Sequence, residues 1–197
     1  MRVISLLDGK FESACKDLSM KISETYKPDV VIGVLTGGGY VGKELMNNFF
    51  EPQPIYTEVK VQRSSTAKKG NGFVHKVLQI LPYFVLDWMR IAEMSYGSLK
   101  AKKNNPKREG NVQLSDEVDA LLKNEAKQIL LVDDAIDTGA TLKLIKDTLS
   151  ERYPLSTIKI AVITVTSNQT FIDADFCLYH DRTLIRFPWS NDVKQKK

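Results

Sequence analysis

Two adjacent carboxylates followed by a short polar turn are the residues of this chain best suited to chemistry. Asp133 and Asp134 come directly after the apolar run at residues 129–132, which has the composition of a strand buried on both faces of a parallel sheet. The turn at residues 137–141 offers backbone N–H groups and two hydroxyls, and an amphipathic helix follows it. Because the N-terminus of a helix attracts anions, this segment predicts two carboxylates for sugar hydroxyls beside a cradle for a phosphate.

Three consecutive glycines mark a second candidate ligand-binding turn. Residues 29–35 have the apolar composition of another buried strand, and Thr36, Gly37, Gly38 and Gly39 follow them. Glycine has no side chain, so a backbone built from it can approach a ligand closely. Open α/β sheets bind ligands beyond the carboxyl ends of their strands. Taken alone, the glycines are explained about equally well by a simple tight turn.

The elements that must position these turns alternate between strand and helix along the chain. Strands are predicted at residues 3–7, 29–35, 55–61, 129–132 and 157–165, with two more at 175–179 and 183–187 in a small C-terminal hood. Helices are predicted, from apolar residues at helical spacing, at residues 11–26, 40–49, 115–123 and 142–149. This alternation predicts the fold class α/β, with a doubly wound parallel sheet.

The composition is that of a soluble protein with one domain. The chain has 197 residues, of which 43% are hydrophobic and 26% charged, enough to bury a sizeable core. Polar and charged residues interrupt the longest apolar-rich run, at residues 77–94, so it is not a membrane span, and the first residues lack the apolar region of a signal peptide. Cys15 and Cys177 show no metal-ligand spacing. We therefore expect a cytoplasmic protein with no membrane partner.

The net charge of +4 is unevenly distributed. Residues 60–108 contain eleven of the 28 Lys and Arg residues but only two acids, Asp87 and Glu93. Such a stretch suits contact with nucleic acid, and it equally suits the surroundings of a polyanionic small substrate.

Residues 129–141 resemble the signature of the type I phosphoribosyltransferases, which bind phosphoribosyl pyrophosphate (PRPP). The resemblance covers all thirteen positions, with acidic pair, turn and helix start in the required order. A Walker A loop is excluded, because G-x-x-x-x-G-K-[ST] occurs nowhere in the chain. The competing interpretation is an ordinary strand–turn–helix whose acidic pair caps the helix. Residues 35–42 are similar to the pyrophosphate loop of the 6-oxopurine enzymes, except that Thr36 stands where they usually carry Arg or Lys.

The resemblance implies a role for each residue of the two turns. Asp133 and Asp134 would hold the ribose of PRPP and reach Mg²⁺, the implied cofactor, directly or through water. The 5′-phosphate would be held by Asp137, Thr138, Gly139, Ala140 and Thr141. Pyrophosphate would be contacted by Thr36, Gly37 and Gly38. Asp137 would also be the catalytic residue, assisting deprotonation of the attacking nitrogen.

A flexible loop that closes over the site is also implied, at residues 62–72, which include Arg63, Ser64 and Ser65. A solvated surface hairpin explains the same polar residues about equally well.

The resemblance weakens at the base end of the site. Residues 181–189 resemble the hood of bacterial xanthine-guanine phosphoribosyltransferases, which puts Leu184 and Ile185 against the base where that family stacks an aromatic residue. Trp189 belongs either to the hood or to the core, and core packing is favoured because large aromatics more often pack than recognise. Thr166 stands where the 6-oxopurine enzymes use a lysine to read the purine O6. The resemblance therefore implies PRPP binding with weak recognition of 6-oxopurines.

These features predict one phosphoribosyltransferase domain of the type I fold over residues 1–197, with a helical insertion at about 73–125 and a hood at about 170–190. The predicted function is Mg²⁺-dependent transfer of the 5-phosphoribosyl group from PRPP to a purine-like nucleobase, with release of pyrophosphate, in nucleotide salvage. A homo-oligomer, most simply a dimer, is expected. The alternative is a non-catalytic regulator of the same fold that senses PRPP or a nucleotide and binds nucleic acid through its basic stretch.

Overall fold

The elements of the structure alternate between strand and helix. The structure, a computed structural model, describes residues 2–49, 51–61, 81–83, 85–89, 91–92 and 112–193. Its elements are, in chain order, β1 (Arg2–Ser5), α1 (Lys10–Ser23), β2 (Val30–Val34), α2 (Gly37–Met46), β3 (Ile55–Val59), α3 (Asp116–Asn124), β4 (Gln128–Ile136), α4 (Ala140–Arg152), β5 (Thr157–Val165), β6 (Phe176–Tyr179) and β7 (Thr183–Arg186). Residues 83, 85–89 and 91–92 are also helical. The predicted flexible loop and most of the basic stretch lie outside the described residues.

Within the described residues, the central sheet has five strands in the order β3-β2-β4-β5-β6. All its pairings are parallel. Alternate residues of β4 point to opposite faces: Leu130 and Val132 join the core shared with α1 and α2. Ile129 and Leu131 join the core shared with α3 and α4. The predicted doubly wound parallel sheet is confirmed.

The helices cover the sheet with the stripes that their sequences predict. Buried residues recur every three or four positions, at Phe11, Cys15, Leu18 and Ile22 on α1 and at Leu142, Ile145 and Leu149 on α4. This spacing places them on one face of each helix. Of the helices that the structure describes, none combines the length and apolar character needed to cross a membrane.

The C-terminal strands are arranged differently from the prediction. Residues 175–179 were expected in the hood, but β6 is parallel to β5 and forms an edge of the central sheet. The physical reason is that β6 is apolar on both faces: Phe176 packs into one core and Cys177 into the other. Of the two C-terminal strands, β7 lies outside the central sheet and pairs in parallel with β1 as a separate two-stranded sheet.

Arg186, at the end of β7, holds this small sheet to the rest of the protein. It is 1% exposed, and its guanidinium donates to Asp192 at 3.0 Å, Ser5 at 3.0 Å and Asp87 at 2.6 Å. The guanidinium carbon also lies 4.4 Å from the centre of the Tyr83 ring. A buried cation is tolerated only when it is paired in this way, so these contacts hold β7 and β1 to the helical residues Tyr83 and Asp87.

Two predicted boundaries beside the turns were wrong. α2 begins at Gly37 rather than at residue 40, and β4 continues to Ile136 rather than ending at residue 132. The glycines are therefore the first turn of a helix. A Cβ at Gly38 would collide with the Val132 carbonyl oxygen, and one at Gly37 with the Asp134 carboxylate. Glycine is required here because α2 begins in direct contact with β4.

Candidate active site

A cleft of about 360 Å³ lies beyond the carboxyl ends of β2 and β4. Its lining is Val34, Leu35, Thr36, Gly37, Asp133, Asp134, Ala135, Asp137, Thr138, Gly139, Ala140, Thr141 and Leu142. The two turns singled out from the sequence thus face one space, although about 100 residues separate them in the chain. Adjacent parallel strands produce this arrangement, since their carboxyl ends share one edge of the sheet.

The acidic pair lies partly buried on the wall of this cleft. Asp133 Oδ1 accepts the backbone N–H of Asp134 at 2.9 Å, and the Gly38 N–H at the start of α2 also donates to the Asp133 carboxylate. Burial raises the pKa of Asp133 well above its usual range, and the neighbouring charge of Asp134 raises it further. Burial raises the pKa of Asp134 too, although hydrogen bonds involving Asp133 and Trp189 oppose that change.

Two desolvated carboxylates side by side repel each other, and each is stabilised by a proton, a donor or a cation. Ribose hydroxyls are donors, and Mg²⁺ prefers carboxylate oxygens. Over the described parts of the chain, no group of three or more His, Cys, Asp and Glu residues is placed to hold a metal. Asp133 and Asp134 are therefore the candidate metal ligands of the cleft, in a site that needs further oxygens from water or substrate.

The glycine turn forms the part of the cleft wall beside the acidic pair. The peptide bond between Leu35 and Thr36 is cis. Thr36 precedes α2, and its side chain makes no capping hydrogen bond to that helix. Thr36 and Gly37 line the cleft, whereas Gly38 is buried behind them against Asp133. Two of the three residues predicted to contact pyrophosphate thus face the site.

The polar turn wraps the start of α4. Gly139 has φ of +74°, a conformation that glycine adopts without strain, and a Cβ there would lie 2.8 Å from Ile172 Cγ2. The Thr138 hydroxyl accepts the Ala140 N–H at 3.4 Å. Because α4 begins at Ala140, the first N–H groups of this helix are at the cleft, where an anion is stabilised. The five residues predicted to hold the 5′-phosphate all line the cleft.

Asp137 and Thr166 contact each other. Asp137 is exposed at the cleft, and Thr166, which follows β5, is 4% exposed. The Thr166 hydroxyl donates to Asp137 Oδ1 at 2.6 Å. Thr166 is absent from the cleft lining, so its predicted contact with a base stays a prediction. In the structure its hydroxyl contacts Asp137 and, at a longer distance, the Ile136 carbonyl oxygen.

The other predicted base residues are also buried. Leu184 is 6% and Ile185 5% exposed, and neither lines the cleft. Both belong to β7 and pair with Val3 and Ile4 of β1. Arg63, Ser64 and Ser65 lie outside the described residues.

Trp189 contacts the acidic pair, which the sequence did not indicate. Its ring stacks on Tyr40 at 4.6 Å and on Phe187 at 4.8 Å, and it meets Phe11 edge-on at 5.1 Å. The predicted packing of Trp189 against the core is confirmed. In addition, its Nε1 donates to Asp134 Oδ2 at 3.3 Å. This hydrogen bond could have been anticipated only in a general way, because a half-buried tryptophan needs an acceptor for its N–H.

Comparison with known proteins agrees with this geometry. A family model described as "Phosphoribosyl transferase domain" matches residues 4–195. A purine phosphoribosyltransferase from Pyrococcus horikoshii is similar in structure, with TM-score 0.61 and 20% identity over 100% of this chain and 99% of that one. A xanthine-guanine-hypoxanthine phosphoribosyltransferase from Helicobacter pylori gives TM-score 0.59 and 13% identity over 95% and 94%.

A hypoxanthine phosphoribosyltransferase from Staphylococcus aureus gives TM-score 0.55 and 18% identity over 87% of this chain and 72% of that one. Identities at this level establish a shared fold. No curated protein matches the sequence.

Proposed function

The chain belongs to the phosphoribosyl transferase domain family, and we propose that it moves the 5-phosphoribosyl group of PRPP to a ring nitrogen of a purine-like base, releasing pyrophosphate. Membership of the family makes the protein a transferase. PRPP as donor, the base as acceptor and a place in nucleotide salvage are parts of the proposal.

The observation that carries the proposal is the single cleft shared by the acidic pair and the two turns. PRPP has a ribose with two hydroxyls, a 5′-phosphate on one side and a pyrophosphate on the other. A ligand of this chemistry needs acceptors in the middle and anion sites at both ends. Asp133 and Asp134 are the acceptors, the start of α4 is one anion site, and the turn at Thr36 and Gly37 is the other.

The reaction would depend mainly on positioning and electrostatics. Its transition state resembles an oxocarbenium ion, so holding the ribose and the leaving group in place provides much of the rate enhancement. The carboxylates of Asp133 and Asp134 would orient the ribose and favour positive charge on the sugar. Asp137, exposed at the same cleft, is the general base proposed for the ring nitrogen.

Mg²⁺ fits the donor set of the cleft. Asp133 and Asp134 supply hard oxygen ligands, and burial raises the pKa of both carboxylates. Mg²⁺ is usually held by one or two carboxylates together with water and substrate phosphates. When bound, it would neutralise charge on the pyrophosphate leaving group.

The candidate base residues are buried and do not line the cleft. The side chains at Thr166, Leu184 and Ile185 offer almost no exposed surface. An exocyclic carbonyl of a 6-oxopurine would lack the charged donor that a lysine provides, and charged donors bind about twice as strongly as neutral ones. We therefore propose a purine-like acceptor, with guanine and hypoxanthine as poor substrates.

The test combines binding and turnover. Calorimetry should detect saturable, Mg²⁺-dependent PRPP binding to the wild-type protein. Pyrophosphate release should then be measured with a panel of bases, and at least one base should react with a higher kcat/KM than guanine or hypoxanthine. Absence of PRPP binding in the presence of Mg²⁺ would refute the proposal. PRPP binding without turnover of any base would favour the regulator, which should then bind RNA or DNA with a steep salt dependence.

A further inference from the structure

The hydroxyl of Thr166 holds a carboxylate that faces the cleft. Oγ1 of Thr166 is 2.6 Å from Oδ1 of Asp137, across 29 residues of sequence. Asp137 follows β4 and Thr166 follows β5, and these strands are neighbours in the sheet. Thr166 is buried and Asp137 is exposed, so the hydrogen bond joins a side chain of the interior to one at the cleft.

The direction of this hydrogen bond follows from the two contacts of the hydroxyl. Oγ1 of Thr166 also lies 3.2 Å from the Ile136 carbonyl oxygen, which is a longer contact than the 2.6 Å to Asp137 Oδ1. A hydroxyl has one proton to donate, and a short bond to an ionised carboxylate is the stronger of the two. The proton therefore goes to Asp137 and is not available to a carbonyl group of a base.

This bond restricts the orientation of Asp137. The terminal torsion of an aspartate has broad energy wells, so an exposed carboxylate is free to rotate. Threonine is β-branched and its χ1 is restricted, and Thr166 is additionally tied through its backbone to residue 136. A carboxylate has two oxygens, so fixing Oδ1 leaves Oδ2 able to accept one further donor in a defined direction.

We propose that Thr166 is a positioning residue that orients the Asp137 carboxylate toward the ring N–H of the acceptor base. The inference rests on the proposed function and deepens it. As the N–C1′ bond forms and the C1′–O bond to pyrophosphate breaks, the ring proton passes to Asp137, and the electron pair of the C1′–O bond leaves with pyrophosphate. The acceptor is thus a base that is recognised through its ring N–H. Thr166 makes no hydrogen bond to an exocyclic oxygen of that base.

A double-mutant cycle on kcat tests the inference. Thr166→Val keeps the shape of the side chain and removes the hydroxyl. It should lower kcat about tenfold, which is less than the full contribution of a general base to the rate. The KM for PRPP should stay within about twofold, because the ribose and phosphate contacts are unchanged. Thr166→Ser, which keeps the hydroxyl, should recover most of the lost kcat. In an Asp137→Asn background, Thr166→Val should cause almost no further loss.

Thr164→Val is the matched control. Thr164 lies in β5 two residues earlier, and its buried hydroxyl donates to the Thr183 carbonyl oxygen at 2.7 Å. Its removal should leave kcat close to the wild-type value. A loss of kcat in Thr164→Val as large as in Thr166→Val, an additive loss in the Asp137→Asn background, or no recovery in Thr166→Ser would each overturn the inference.

Crystallography separates failure of this inference from failure of the proposed function. A wild-type protein that turns over no base contradicts the proposed function, and the positioning role is then decided by the orientation of Asp137. In the wild-type crystal, Asp137 should adopt one conformer that is hydrogen-bonded to Thr166. In the Thr166→Val crystal, the Asp137 carboxylate should be rotated or should occupy two conformers. An unchanged single conformer in Thr166→Val would refute the positioning role.

Discussion

The part of the cleft proposed to bind PRPP and the segment proposed to bind the base, called the PRPP end and the base end below, are built in opposite ways. At the PRPP end, backbone N–H groups, glycines and two carboxylates are presented to the cleft. At the base end, the residues predicted to contact the base are turned inward: Thr166 toward Asp137, and Leu184 and Ile185 into the β1–β7 sheet. A ligand group shared by all PRPP-dependent reactions can be bound by main chain and carboxylates, whereas recognition of one base depends on individual side chains.

The comparison also shows how the two ends are connected. Trp189 follows β7, at the end where the base is expected, and its indole N–H reaches Asp134 at the PRPP end. The acidic pair therefore depends on the C-terminal segment for one of its donors. The following predictions test whether the two ends are as separate as their construction suggests, beginning with the largest effect.

The double variant Asp133→Asn with Asp134→Asn should lose at least about 100-fold in affinity for Mg²⁺-PRPP. Each carboxylate accepts charge-assisted bonds worth about 1.5–3 kcal/mol, and about 1.4 kcal/mol corresponds to a factor of ten. Calorimetry provides the measurement. Asp116→Asn with Glu117→Gln is the control, because it makes the same change in charge at exposed residues at the start of α3; equal losses in both variants would contradict the assignment of the acidic pair.

Gly38→Ala should lower the free energy of unfolding by about 1–3 kcal/mol, the usual result of adding a methyl group to a filled site. It should also weaken PRPP binding, since the new Cβ would lie 2.7 Å from Asp133 Cα. Chemical denaturation and calorimetry measure the two effects.

Gly9→Ala is the comparison variant for Gly38→Ala. Gly9 has φ of +83° and no atom within 4 Å of an added Cβ, so alanine there is strained without a collision and should cost about 1–2 kcal/mol. PRPP affinity should be unchanged in Gly9→Ala. Unaltered PRPP affinity in Gly38→Ala would show that the contact between α2 and β4 is structural only.

The stability of the ligand-free protein should depend on the ionisation of the acidic pair. Because burial raises the folded-state pKa of Asp133 and Asp134, the folded protein binds more protons than the unfolded chain above the ordinary carboxylate pKa of about 3.9. The contribution of the pair to stability is therefore fully present below that pH and is lost as pH rises through the raised values.

Relative to wild type, Asp133→Asn with Asp134→Asn should gain stability as pH rises above the ordinary carboxylate pKa of about 3.9, because the asparagine side chains have no proton to lose. Denaturation should be measured as a function of pH in buffer free of divalent ions. A difference between variant and wild type that stays constant with pH would contradict the raised pKa values. The Asp116→Asn, Glu117→Gln control should show no such gain.

The smallest effect is expected for Trp189→Phe. Phenylalanine keeps an aromatic ring between Tyr40 and Phe187 but removes the N–H that donates to Asp134 at 3.3 Å. The loss of one long bond should reduce PRPP affinity less than about tenfold, or about 1.4 kcal/mol. Trp88→Phe, at a 71% exposed residue, is the control. If Trp189→Phe lost as much PRPP affinity as Asp133→Asn with Asp134→Asn, the PRPP end and the base end would be energetically coupled rather than separate.

The sequence predicted most of the fold because its signals are local. The strand at residues 157–165 was predicted with the bounds it has, and the stripe on α4 was visible from its spacing. The glycine run was harder to interpret, because glycine is common in turns and is also required where a helix touches a strand. Only the position of Val132 and Asp134 against α2 distinguishes these cases.

The parts of the site that were missed are contacts between distant residues. Thr166 and Asp137 become neighbours only when β4 and β5 pair, and Trp189 reaches Asp134 across 55 residues of sequence. Similarly, an apolar strand such as β6 indicates burial on two faces but not which strand it will pair with. Periodicity reports the environment of a residue, while its partner depends on the order of strands in the sheet.

The parallel pairing of β1 with β7 has a consequence for folding during synthesis. Arg2 is paired with Thr183, so β1 must remain unpaired until β7, about 180 residues later, has left the ribosome. At about 5–20 residues per second, that delay is roughly 10–40 s. Closing so long a loop is entropically costly and slow compared with local folding. The α/β units with the acidic pair can therefore form before the β1–β7 sheet assembles.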